Sequence, residues 1–163
     1  MDCTFTRVMF GLLVVILVGN AITLKNVSRS VAPRTDEEKR EAIERTVSNP
    51  AVNGVYDPDV VVYATTQLQG IYGDMVNYPD RPVPVDEVLL YLTYLAEGSM
   101  SRPDAIDFCS RVRPLWSASH RIGDLLFGKE ATQNQQDLFS RIDNAVGQKD
   151  KDGACQSTQE VST

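Results

Sequence analysis

Apolar positions recur along this chain at spacings of three and four, broken by prolines, glycines and capping residues, and that pattern predicts a bundle of helices. Thr35 followed three positions later by Glu38 is a capping-box pattern, and it opens a charged helix running to about Val47 before Asn49-Pro50. Asp57-Pro58 sets a good N-cap before a proline at the first helical position. Val61, Ala64, Leu68, Ile71 and Met75 then share one face, with Gly70 and Gly73 inside the segment. Pro84 and Asp86 open the next helix, whose apolar stripe is Val85, Val88, Leu89, Leu92, Leu95 and Ala96, with Gly98 as its expected C-cap.

Ser101-Arg102-Pro103-Asp104 predicts a fresh start, carried on by Ile106, Cys109 and Val112 until Pro114 breaks or kinks it. A further helix holds Trp116, Ile122, Leu125 and Leu126 and stops near Gly128. The last, from about Ala131 to Val146, buries Leu138, Phe139, Ile142 and Val146. Only Val60 to Tyr63 reads as β-like, and the cap before it favours helix. The expected fold is all-α, a small helical bundle of about five helices over residues 35–147, with a flexible linker at 22–34 and a disordered polar tail at 148–163. Asp150-Lys151-Asp152-Gly153 in that tail looks like the start of a calcium loop, but the closing Glu is missing at the required spacing.

The N-terminus changes the picture from domain to itinerary. Val8 to Val18 carries no charge or strongly polar group, and Gly19 and Ala21 place small residues at −3 and −1 of a cut after Ala21. Residues 1–21 therefore read as a secretory signal peptide. The alternative is an uncleaved anchor from about Val8 to Leu24, at the short limit for a bilayer span; Lys25, Arg29 and Arg34 behind it would hold the downstream side cytoplasmic. Asn26-Val27-Ser28 is a glycosylation sequon, which export would make usable. Cys3 leaves with the signal peptide, and Cys109 and Cys155 then form either one disulfide or two free thiols.

The formal charge of the chain is −6, and removal of residues 1–21 takes one acid and one base, so the remainder is also −6. That balance disfavours nucleic acid and anionic lipid as partners, because phosphates need a basic patch. Membrane contact is expected only if the N-terminal segment stays uncleaved. His120 is the only histidine, with no partner set for a metal or a catalytic triad, and it reads as a surface or boundary residue. The many carboxylates, among them Asp57, Asp74, Asp86, Asp104, Asp107 and Asp124, mark no particular acid–base pair. A small secreted hydrolase with a carboxylate site is the enzymatic alternative; the expectation is a protein without catalysis and without a cofactor. Tyr91, Tyr94 and Trp116 are either the aromatic anchors of a partner-binding face or the finish of the core.

A signal peptide, a linker with arginines, the acidic run Asp36-Glu37-Glu38-Lys39-Arg40 and then a helical domain come in the order of one known family. The chain resembles the RxLR–dEER secreted effectors of oomycete plant pathogens. In that family an Arg-x-Leu-Arg motif precedes the acidic run, and the helical domain acts on immune components inside host cells. Here Lys39 stands for the arginine of the second motif, and Arg29-Ser30-Val31-Ala32 keeps only the leading arginine and an aliphatic residue of the first. The resemblance covers residues 1 to about 40. It implies a secreted protein, delivered into host cells, that binds a host protein and interferes with defence. The same acidic run is also what a solvated helix start looks like.

Overall fold

The computed structural model describes residues 33–49, 56–121 and 131–155. The segment read as a signal peptide, residues 22–32 of the expected linker with Asn26 and Arg29, then Ile122, Asp124, Leu125 and Leu126, and residues 156–163 of the expected tail lie outside the described residues. Every regular element described is helical: α1 (Asp36–Ser48), α2 (Pro58–Asn77), α3 (Val85–Ser101), a π-turn (Phe108–Val112) running into α4 (Arg113–Arg121), and α5 (Gln133–Lys151). This is the small all-α bundle that the apolar spacing predicts.

α3 is the centre. It packs against α1, α2, α5 and the π-turn, and its composition explains why. Val88, Leu89, Leu92, Leu95 and Ala96 are buried as their stripe requires, while Tyr91, Thr93, Tyr94, Gly98 and Ser99 are buried as well. A helix apolar on nearly every side needs neighbours on every side. The Thr93 and Ser99 hydroxyls are satisfied locally: Thr93 donates to the Leu89 carbonyl at 2.7 Å and Ser99 to that of Ala96 at 2.7 Å. Around it, α1 contributes Ile43 and Val47, α2 contributes Val60, Val61, Ala64 and Leu68, and α5 contributes Leu138, Ile142, Ala145 and Val146. Ile71 and Phe139 are only partly buried.

Three boundaries differ from the sequence reading. Gly98 does not cap α3, which continues to Ser101. Gly98 is buried mid-helix, where a Cβ would lie 2.2 Å from Ile106 Cδ1 and 2.6 Å from Tyr56 Cδ1, so its role is close packing.

The second difference is at Ser101, which ends α3 instead of opening a helix; residues 103–105 form a turn. The true start is Asp107, whose carboxylate accepts the Ser110 amide at 2.7 Å. Hydrogen bonds from Ser110 hold the Asp107 carboxyl below its ordinary range. Pro114 does not break the chain. Ahead of it the helix widens, and the Arg113 amide reaches back to the Phe108 carbonyl. Pro114 then lies in the first turn of α4, where no amide hydrogen is needed.

The third correction concerns the tail. Residues 148–155 are ordered, not a disordered extension. α5 runs to Lys151 and ends in a Schellman motif: Gly153 takes a positive φ of 66°, its amide donates to the Asp150 carbonyl, and the Ala154 amide donates to that of Lys149. Asp150 to Gly153 is thus a helix stop. Cys155 then bonds Cys109 of the π-turn, with Cα atoms 5.5 Å apart.

Candidate functional site

The acidic run occupies the start of α1. Asp36, Glu37 and Glu38 fill its first turn, where the helix dipole favours negative charge. Lys39 pairs with Asp36 at 3.2 Å and Arg40 with Glu44 at 3.0 Å. Lys39 also stands over the Tyr63 ring, 5.6 Å from its centroid, a cation–π contact that ties the run to α2. Apart from Lys39 these side chains are exposed.

Of the two readings open for Tyr91, Tyr94 and Trp116, a binding face or the finish of the core, the structure takes the second. Tyr91 is 3% exposed, Tyr94 0% and Trp116 4%, so they finish the core. Tyr94 packs on Tyr56, ring centroids 5.1 Å apart, and Tyr91 meets Tyr63 edge to face at 6.1 Å. Trp116 contacts Phe139 at 5.1 Å and carries the exposed His120 at 4.9 Å. The burial of the two α3 tyrosines has a physical cause. Tyr91 and Tyr94 are offset from the leucine stripe, and an offset residue faces solvent only when the helix has neighbours on one side alone; α3 has them all round. His120 sits at the boundary expected for it, covering Trp116.

Among the described residues the exposed large apolar ones are others: Val62, Val76, Tyr78 and Met100. Val76 is 81% exposed and Tyr78 50%. Both lie at the end of α2, where Arg81 stacks over the Tyr78 ring at 4.3 Å. In this Val76–Tyr78–Arg81 corner, tyrosine and arginine are residue types enriched at interface hot spots, and Val76 adds exposed apolar area beside them. In the sequence, Tyr78 and Arg81 fall in Tyr78-Pro79-Asp80-Arg81-Pro82-Val83-Pro84, a proline-rich break outside any periodic segment.

Other polar constellations join elements. Arg141 grips Glu97 with two hydrogen bonds, at 2.7 and 2.8 Å, and donates a third to the Val47 carbonyl at 3.0 Å. One side chain so fastens α5 to α3 and to the carbonyl end of α1. Tyr72 donates to the Leu115 carbonyl at 3.1 Å and contacts the Ser119 hydroxyl, joining α2 to α4. Burial pushes the Tyr72 hydroxyl up to about 12, although the Ser119 contact acts the other way. Asp86 accepts from Gln135, and Asp104 is held below its ordinary range chiefly by its hydrogen bond with Arg102. These carboxylates therefore serve helix ends and turns. Among the described residues no group of three or more His, Cys, Asp or Glu is arranged to hold a metal ion, and no helix is long and apolar enough to cross a membrane.

In comparisons with protein-family models, curated proteins and solved structures, nothing matches this chain.

Proposed function

We propose that this protein is a secreted effector whose helical domain binds a host protein and interferes with host defence by surface complementarity, without catalysis. The observation that carries the reading is the Cys109–Cys155 bond. A disulfide in a chain whose N-terminus reads as a signal peptide fits passage through an oxidising compartment. The acidic run on the exposed start of α1, in the position that the resemblance to RxLR–dEER effectors implies, adds to it. Delivery into host cells and the defence target rest on that resemblance.

The binding face we assign is the corner at the end of α2. Tyr78 and Arg81 hold each other in place by stacking, so little side-chain freedom is lost when a partner covers them. Val76 supplies exposed apolar area beside them.

The test has two arms. N-terminal sequencing of the protein recovered from the medium of secreting cells should show a new terminus at Ile22; retention in the membrane with an intact N-terminus favours the anchor. Expression in host tissue challenged with an immune elicitor should lower the defence output. Val76→Asp and Tyr78→Ala should abolish that effect while leaving the melting temperature unchanged. An unaltered defence output with the parent protein rejects the effector reading.

A further inference from the structure

The end of α5 is fastened to the bundle differently from the rest of the helix. Up to Val146 the helix buries apolar side chains at every turn, through Leu138, Ile142 and Ala145. Beyond Val146 that stops. Gln148, Asp150, Lys151, Asp152 and Ala154 are exposed, and Gly147, Lys149 and Gly153 only half-buried.

The hydrogen bonds found there close on the segment itself. Gln148 donates to the Asp152 carboxylate at 3.0 Å, and the amides of Asp152, Gly153 and Ala154 reach back to carbonyls between Gln148 and Asp150. Such bonds stop the helix but do not anchor it. Cys109 Sγ lies 3.2 Å from the Ala154 carbonyl but, as a disulfide sulfur, has no hydrogen to donate; apart from that contact, two ties reach another element. One is an ion pair between Arg113 and Asp150 at 3.6 Å with both side chains about half exposed, a kind that contributes little. The other is the Cys109–Cys155 bond, whose residues are only half-buried.

We propose that this disulfide is a redox-sensitive clasp: thiol reduction frees residues 147–155 from the π-turn while the bundle stays folded. The reductant is a small thiol of the glutathione class. Its thiolate attacks one sulfur, forms a mixed disulfide and expels the other cysteine as a thiolate, which takes up a proton. A second small thiolate then attacks the sulfur of the first in the mixed disulfide and expels the remaining cysteine as a thiolate, which also takes up a proton. Two electrons pass to the protein, which gains two thiols, and the small thiols leave as their own disulfide. Neither cysteine is fully buried, which favours access for a small thiol. Once the bond is broken, the segment buries too little to offset the entropy of staying ordered. The inference rests on how the chain end is held, whichever partner the bundle binds.

Hydrogen exchange and limited trypsin digestion of the full chain, before and after incubation with glutathione, test it. In the oxidised protein the amides of 147–152 are protected and the bonds after Lys149 and Lys151 resist cleavage. With glutathione, protection at 147–152 is lost and both bonds are cut, while residues 138–146 and α3 stay protected, at the lower level that loss of the loop closure leaves. Cys109→Ser/Cys155→Ser should behave as the reduced protein without any thiol, and Asp150→Asn as the oxidised one. The clasp is overturned if glutathione leaves the bond intact in the folded protein, if 147–152 stays protected after reduction, or if the whole bundle exchanges together. In the last case the bond is a general strut.

Discussion

Gly98 of α3 lies against the Tyr56 ring so closely that a single methyl group would overlap it, at 2.6 and 2.7 Å from two ring carbons. Ile106 Cδ1 closes the other side at 2.2 Å, and it can swing away more easily than a ring already packed on Tyr94. Two effects oppose each other in Gly98→Ala. Alanine favours the helix by up to about 1 kcal/mol, whereas overpacking costs about 1–3 kcal/mol. With a rigid ring in the way the second wins. The expected outcome is net destabilisation in denaturant melts. Gly70→Ala and Gly73→Ala, in the same helical setting but with nothing within 4 Å, should instead stabilise by up to about 1 kcal/mol.

The Arg141–Glu97 pair should couple measurably, unlike the ion pairs on the surface. Its side chains are 30% and 22% exposed, its geometry is two-pronged, and the same guanidinium satisfies the Val47 carbonyl. Arg141→Met should cost about 1–3 kcal/mol, the range for stranding partly buried acceptors. A double-mutant cycle with Glu97→Gln should give a coupling of at least about 0.5 kcal/mol, and the Arg40–Glu44 cycle less. Equal coupling in both cycles would remove Arg141 from its role as the fastener of three helices.

Much of the bundle was legible in sequence because its strongest signals are local. The leucine stripe of α3 appears as the spacing requires, and Leu89 and Leu92 are fully buried. Leu89→Ala and Leu92→Ala should each cost about 2–5 kcal/mol, and chemical melts showing far less in both would displace α3 from the centre. What stayed hidden depends on tertiary context. A glycine stops a helix or admits a neighbour, and only the approach of Tyr56 decides which Gly98 does. Tyr91 and Tyr94 went inside because α3 is enclosed, and Trp116 because Phe139 of α5 packs against it; no single helix encodes either fact. The end of α5 was readable in principle. Lys149 and Lys151 in a last turn followed by Gly153 form a standard stop signal, masked by low apolar content. Of the candidate site, the acidic run was found as a motif, while the Val76–Tyr78–Arg81 corner has no periodicity to betray it.

Trimming the chain after residue 147 should not be neutral. A polar tail would be dispensable, but this one carries Cys155 and a bond across a sequence separation of 46. The chain-entropy argument gives a closed loop of that size about 4 kcal/mol, as an upper value. Cys155→Ser and truncation after Gly147 should therefore lower stability by similar amounts, roughly 2–4 kcal/mol, under non-reducing conditions. In the presence of reductant the parent protein should fall to the same level. If truncation costs nothing while Cys155→Ser costs the full amount, the serine itself is harmful and the loop-closure account fails.

Stability should decline in alkali through tyrosines that fold in their neutral form. Three of the six tyrosines have hydroxyls raised above their ordinary value, chiefly by burial: Tyr56, Tyr72 and Tyr91. The best defined is Tyr72, pushed up to about 12 and bonded to the Leu115 carbonyl. Between the ordinary tyrosine value of about 10 and that raised value, the folded chain keeps a proton that the unfolded chain has released, so the slope of unfolding free energy against pH is negative. The contribution is intact below about pH 10 and is lost as the pH climbs toward 12. Tyr72→Phe has no proton to lose. It should cost about 1 kcal/mol at neutral pH, where the hydroxyl's hydrogen bonds are missed. Above pH 10 its stability should fall less steeply than that of the parent, so the two curves converge. Urea melts at neutral pH and between about pH 10 and 11 measure this directly, and tyrosinate absorbance of the folded protein should rise late. Parallel stability curves would mean that the Tyr72 hydroxyl ionises as readily in the folded protein as in the unfolded chain.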